Sequence, residues 1–258
     1  MSEPSTAGPT LKSLLKLLDF DMDVQQDDIT YCLTLGFTQS QEFQDRASWV
    51  LSSPQLGKFL SGGPESSLLV VNGNYEPTQF ISPLSHACAK ISDLISVSNE
   101  VFALTYFCGR HSDEWREPRA NASGIITSLT AQLLYQFKKK KNDKYKLNLS
   151  AIDEEDEAAI EDGDLSATFK AFRTVVKQLP KGTVILCLVD GLSAYENSDR
   201  RDDTVRLMQK LGQLVRKLKG VVLKVMVTYP GRVCYLDKWA LELGSRKMGI
   251  LEVPEDLV

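Results

Sequence analysis

Downstream of Ser67 the apolar residues fall into short, nearly continuous runs, and between these runs they recur at every third or fourth position. The runs predict strands at Leu68–Val71, Val101–Phe107, Thr183–Val189 and Val221–Thr228, with a further one at Gly249–Val253. The periodic stretches predict helices at Pro83–Ser96, Ser123–Phe137, Leu165–Leu179 and Asp203–Leu218. Strands alternating with helices are the grammar of a mainly parallel sheet covered on both faces, an α/β class. Upstream the pattern is helical only. Leu11, Leu14, Leu15 and Leu18 lie on one helix face, and Ser40–Leu60 carries Phe43, Ala47, Val50 and Leu51 on one stripe, with a break at Pro54. The chain therefore divides into a disordered start (1–10), an N-terminal helical extension (11–64) and an α/β domain (65–258). No element is predicted between Leu18 and Ser40.

Crossovers of this length are right-handed, and open α/β sheets bind ligands beyond the carboxyl ends of their strands. Gly73, Gly109, Asp190 and Tyr229 should converge at that rim. One stretch breaks the pattern: the basic block Lys138–Lys141, with Lys144 and Lys146, runs into the acidic residues Asp153–Glu157 and on to Asp164. Adjacent blocks of opposite charge read as a solvated loop over 138–164.

Charge and composition narrow the function. With 30 Lys and Arg against 34 Asp and Glu, net charge −4, no global field draws the chain to nucleic acid or acidic membranes. The apolar runs are far shorter than the roughly 20 residues that span a bilayer. The first ten residues lack the basic and apolar regions of a secretory leader, so a cytoplasmic location is expected. The 5 cysteines are scattered and contain no C-x-x-C pair, which favours reduced core thiols over disulfides or a zinc site.

The segment after the first strand, Asn72-Gly73-Asn74-Tyr75-Glu76-Pro77-Thr78-Gln79-Phe80, stands where a P-loop protein carries its phosphate cradle. In G-x-x-x-x-G-K-[ST] the glycines let backbone N–H groups turn onto phosphates, the lysine meets their charge and the hydroxyl holds Mg²⁺. With Gly73 as the first glycine, Thr78, Gln79 and Phe80 replace the second glycine, the lysine and the hydroxyl residue. Glu76 adds a repelling charge and Pro77 deletes an N–H. A register shift would offer Ser82 or Ser85 as a hydroxyl and His86 or Lys90 as a cation, although Ser82 before Pro83 reads as a helix N-cap.

Five further segments follow in order: Gln44–Pro54, Leu68–Gly73, Leu104–His111, Ala122–Leu134 with its Ser-Leu-x-x-Gln-Leu-Leu pattern, and Lys224–Arg232. Together with the strand ending at Asp190 they resemble the NACHT-like P-loop domains of fungal proteins, nephrocystin-type N-terminal domains within the STAND class of signalling NTPases. The resemblance covers nearly the whole chain. It implies a P-loop NTPase-like three-layer sandwich with a mainly parallel central sheet and an N-terminal helical extension, in which Gly73, Asn74, Thr78, Gln79 and Phe80 form a degenerate Walker A loop. Asp190 becomes the Walker B acid, which would order Mg²⁺ if the metal binds. Active members continue Asp-x-Leu-Asp-Glu, whereas here Ser193 and Ala194 occupy the acidic positions and Glu196 lies two residues beyond. Thr228 and Arg232 correspond to the sensor strand and its arginine, and Arg110 and His111 stand where a crevice anion could be met. Phosphate charge, metal hydroxyl and water-activating acid are lost together, so the expectation is a pseudo-NTPase that serves as an interaction or regulatory module through a protein partner or self-association. It would have no catalytic residue, no NTP hydrolysis and no assured cofactor. The alternative is a divergent STAND switch that binds ATP or GTP with Mg through Asp190 and the crevice arginines, with slow or no hydrolysis.

Overall fold

The computed structural model describes residues 8–61, 63–75, 81–98, 100–117, 119–141, 146–231 and 247–257. Five parallel strands, β1 (Ser67–Asn72), β2 (Val101–Phe107), β3 (Val184–Asp190), β4 (Val222–Tyr229) and β5 (Met248–Glu252), form one sheet in the order β2-β3-β4-β1-β5. Side chains alternate between its faces. Leu68, Val70, Ile185, Cys187, Val189, Leu223, Val225 and Val227 enter one core cluster, while Leu69, Val71, Leu186, Leu188 and Met226 enter the other.

Helices cover both faces, which gives the three layers of a P-loop-like sandwich. On the first face lie α1 (Leu11–Leu18), α6 (Ala122–Lys141), α7 (Glu154–Glu161), α8 (Leu165–Val176) and α9 (Arg201–Lys217). On the second lie α2 (Met22–Phe37), α3 (Gln41–Ser52), α4 (Pro54–Ser61) and α5 (Pro83–Ser96). The β1-to-β2 crossover passes through α5 on the second face, whereas the steps to β3 and β4 run back across the sheet over the first face. A reversal of direction coupled to a reversal of face is what the handedness of parallel crossovers demands.

The helices before β1 are divided between the two faces. α1 buries Leu14 and Leu18 in the first core, and α2 to α4 pack over the second. Helix α2, which apolar periodicity misses, buries Asp28, Ile29, Cys32 and Gly36, so half of its inner stripe is not hydrophobic. Gly36 is fixed by contact, since a Cβ there would lie 1.8 Å from His86 Nδ1 on α5. The segment read as a charged loop over 138–164 is a correction: α6 continues through Lys141, and Asp153–Glu157 opens α7. The acids of Glu154–Glu157 occupy the first turn, where the helix macrodipole favours negative charge, and Asp153 and Asp156 close a capping box.

Helix α6 also closes one edge of the sheet. Gln132 accepts from the Thr105 N–H and donates to the Thr105 carbonyl, both at 2.8 Å, imitating a neighbouring strand. One and two turns on, Gln136 donates to Ala103 O and Lys140 to Val101 O. A single face of α6 thus meets the Thr105 N–H and the carbonyls of Val101, Ala103 and Thr105 along β2, an edge that would otherwise be open to pairing with another chain.

Candidate functional site

Beyond the carboxyl ends of the strands lies a cavity of about 230 Å³ between the start of α5, the loop after β2, the turn after β3 and Pro230. Asp190 sits in its wall as the last residue of β3, 2 % exposed. It is the one ionisable side chain among the described lining residues; the others include Ser82, Ser85, Gly109, Ser112, Ser193 and Ala194.

Hydroxyls and a thiol surround Asp190, with no cation among them. Thr228 Oγ1 donates to Asp190 Oδ1 at 2.5 Å and accepts from the Gly191 N–H at 3.0 Å, while Ser85 and Cys88 on α5 also hydrogen-bond the carboxyl. Burial pushes its pKa up to about 6, and the Ser85, Thr228 and Cys88 bonds only partly offset that. The Cys88 thiol is itself driven well above its ordinary value by burial and by Asp190. Thr228, expected on the sensor strand, therefore orients Asp190. Ser85 is the α5 hydroxyl that reaches the acid, whereas Ser82 is the N-cap.

The start of α5 offers few donors to an anion. Pro83 has no N–H, the Ser85 N–H is bonded to Ser82 Oγ at 3.2 Å, and that of His86 to Ser82 O at 3.2 Å. The loop after β1 is likewise engaged. The Gly73 N–H donates to Tyr229 O at 2.7 Å and the Tyr75 N–H to Pro230 O at 2.9 Å. Asn74 adopts φ +47° and donates through Nδ2 to Val253 O at 2.7 Å. A Cβ on Gly73 would lie 2.3 Å from Pro230 O, so this glycine serves the approach of two backbones. Thr78, Gln79, Phe80 and Arg232, together with Glu76 and Pro77, lie outside the described residues.

Arg110 and His111 turn toward α2. Arg110 Nε bonds Asp28 Oδ1 at 3.2 Å, and its guanidinium lies 3.7 Å from the Tyr31 ring centroid. His111 is held between Asp28 Oδ2 and Glu117 Oε2, each at 2.7 Å. Both ring nitrogens can donate only in the imidazolium form. Burial opposes that charge, but the bonds and charges of Asp28 and then Glu117 outweigh it and hold the pKa of His111 above its ordinary value. His86 and Lys90, the cations a shifted register would offer, also face α2. His86 is fully buried beside Cys32 O at 3.1 Å, with burial lowering its pKa, and Lys90 Nζ lies 5.4 Å from the Phe37 ring centroid.

After Asp190 the chain makes a 3-10 turn, Leu192–Tyr195, whose first and last side chains are fully buried. Ser193 and Ala194 consequently face the cavity, and Glu196 ends the turn with its N–H on Ser193 O at 3.1 Å. Tyr195 donates its hydroxyl to His111 O at 2.6 Å and pairs with the Tyr106 hydroxyl at 3.0 Å, tying this turn to the loop after β2.

Sequence reasoning missed Asp28, Tyr195 and Arg46. Arg46 is buried and donates to Gly73 O at 3.2 Å, Pro254 O at 3.3 Å and Glu255 O at 2.7 Å, so it clamps the β1 loop to the segment after β5. Its signal was available: it interrupts the apolar stripe of Phe43, Ala47 and Val50, and an arginine on a buried face needs partners.

Among the described residues no three His, Cys, Asp or Glu side chains cluster as a metal site, the cysteines Cys32, Cys88, Cys108 and Cys187 are buried and free, and no helix is long and apolar enough to cross a membrane. For a nucleotide with Mg²⁺ the described residues do not fit. The nearest acid carries its own ring of donors, the described lining residues include no cation, and the adjoining backbone N–H groups of Gly73, Tyr75, Ser85 and His86 are bonded internally. In comparison with known proteins, the family model of the nephrocystin 3 N-terminal region matches residues 45–228. No curated protein matches the chain.

Proposed function

The chain belongs to the nephrocystin 3 N-terminal family, and on that premise we propose that it is a NACHT-like domain of the STAND kind whose P-loop has become a structural joint. The domain acts in the cytoplasm as an interaction or regulatory module, through a protein partner or a second copy of itself, without hydrolysing nucleotide. One observation carries this reading: the Gly73 and Tyr75 N–H groups are spent on Tyr229 O and Pro230 O, where a phosphate cradle would hold them open. The absence of a cation among the described lining residues supports it, because a dehydrated polyphosphate needs its charge met.

The competing reading, a divergent ATP- or GTP-binding switch, is favoured by the Ser85 hydroxyl beside Asp190, an acid and a hydroxyl of the types that order Mg²⁺. Thermal unfolding with and without millimolar Mg-ATP or Mg-GTP separates the two, since any ligand of the folded state raises the transition by an amount set by its concentration relative to Kd. An unchanged transition is expected for the module. A nucleotide-dependent rise that Asp190→Ala removes would establish the switch.

A further inference from the structure

A second concave site is built from residues that the crevice does not use. Helices α8 and α9 are followed by the loops that lead into the amino ends of β3 and β4, and these loops are joined by the Gly182 N–H to Gly220 O bond at 2.6 Å. Between the two helices runs a groove of about 190 Å³, lined by Lys170, Arg173 and Lys177 from α8 and its C-cap, and by Lys210 and Lys217 from α9. Phe169 forms part of its wall, with Lys210 Nζ 5.6 Å from the ring centroid.

Most of the charge here is uncompensated. Lys170 is paired with Asp156 and Asp153 of α7, but among the described residues no carboxylate forms an ion pair with Arg173, Lys177, Lys210 or Lys217. Helix macrodipoles account for cations in the last turns, and so for Arg173 and Lys217. They do not account for Lys210, which stands two turns before Lys217 and lines the same groove. Like charges spaced three and four residues apart along a helix repel one another. Arg173, Lys177, Lys210 and Lys217, beside the ion-paired Lys170, therefore give one concavity a local positive charge in a chain of net charge −4.

We propose that the α8–α9 groove binds a compact anion carrying several phosphate groups, either a free polyphosphorylated molecule or a headgroup of that chemistry. Arg173 supplies the bidentate fork that suits a phosphate oxygen pair, the lysines supply point charges, and Ser166 on the rim adds a neutral donor. The groove shares no lining residue with the crevice, so this site operates whether or not Asp190 ever meets a nucleotide.

The test is calorimetry with inorganic tripolyphosphate at physiological salt on three proteins: the full chain, the pair Arg173→Gln/Lys217→Gln, and a control pair Lys12→Gln/Lys16→Gln that removes equal charge from exposed positions on α1. Micromolar binding is expected, weakened about tenfold or more by the groove pair, as the loss of two charge-assisted contacts implies, and nearly unchanged in the control. Vesicles bearing multiply phosphorylated headgroups give the second arm. Binding there that tripolyphosphate displaces identifies the headgroup as a source, and soluble binding alone identifies a free ligand. The proposal is overturned by no heat at millimolar tripolyphosphate, by equal loss in both variant pairs, or by a groove pair that alters the oligomeric mass of the protein and leaves tripolyphosphate binding intact, which would make the groove a contact between copies.

Discussion

Gly73 and Asp190 carry the account at the scale of single residues. At Gly73 the nearest obstacle to a side chain is a backbone oxygen, Pro230 O, 2.3 Å from where a Cβ would stand. Backbone cannot swing aside as a side-chain tip can. Gly73→Ala should therefore cost about 1–3 kcal/mol, the usual price of overpacking, read as a lower urea midpoint with an unchanged slope; a neutral substitution would show that the joint tolerates a side chain. For Asp190 the sign follows from its protons. The folded protein holds the carboxyl proton up to about pH 6, whereas the unfolded chain releases it near 3.8, so the folded state binds more protons in that window and stability falls as pH rises through it. The difference between the two values corresponds to roughly 3 kcal/mol, fully expressed about one pH unit above 6. Asp190→Asn should flatten the decline in stability between pH 4 and pH 6 relative to the unsubstituted protein, and an identical slope in both would mean that the carboxyl ionises freely in the fold. The candidate site was legible in part at this scale. The location of Asp190 at the end of its strand follows from the apolar run before it, but its partners Ser85, Cys88 and Thr228 come from two other elements, and no local pattern announces that a thiol on α5 will face an acid on β3.

Among the elements, those that bury a continuous apolar face were readable from the chain. The helix predicted at Pro83–Ser96 is α5, with the Ser82 cap and Pro83 at its first position, and Val101–Phe107 is β2. What escaped has a physical cause in each case. Helix α2 spends its inner stripe on Asp28 and Gly36, one to pair with Arg110 and His111 and one to admit His86. Helix α7 has one buried residue, Ile160, and is held by its capping box and its acidic first turn, so apolar periodicity carries little of it. In α6 the Ser-Leu-x-x-Gln-Leu-Leu pattern acquires a concrete role, because Gln132 is the residue that pairs with the edge strand. Gln132→Ala would leave the buried N–H and C=O of Thr105 without that partner, and should lower stability by about 3 kcal/mol in chemical denaturation. Gln132→Glu, which keeps an acceptor for the N–H but offers the carbonyl no donor, should not restore it. A loss well below 1 kcal/mol in Gln132→Ala would argue that β2 is held by β3 alone.

Across the whole molecule, alternation of strands and helices foretold a parallel sheet with two covered faces, whereas the strand order β2-β3-β4-β1-β5 and the splitting of α1 from α2–α4 onto opposite faces are decided by crossovers and long-range packing. Arg46 shows how such packing reaches the crevice: a residue of α3 joins Gly73, at the start of the loop after β1, to the chain after β5. On the function proposed above, the molecule keeps the strand framework of a P-loop-like sandwich and uses the loop after β1 as a fastening. The most direct measurement of that claim is isothermal calorimetry of the purified protein with Mg-ATP and Mg-GTP up to millimolar concentration. A fastened loop predicts no binding heat with either nucleotide, whereas saturable micromolar binding abolished by Asp190→Ala would contradict it.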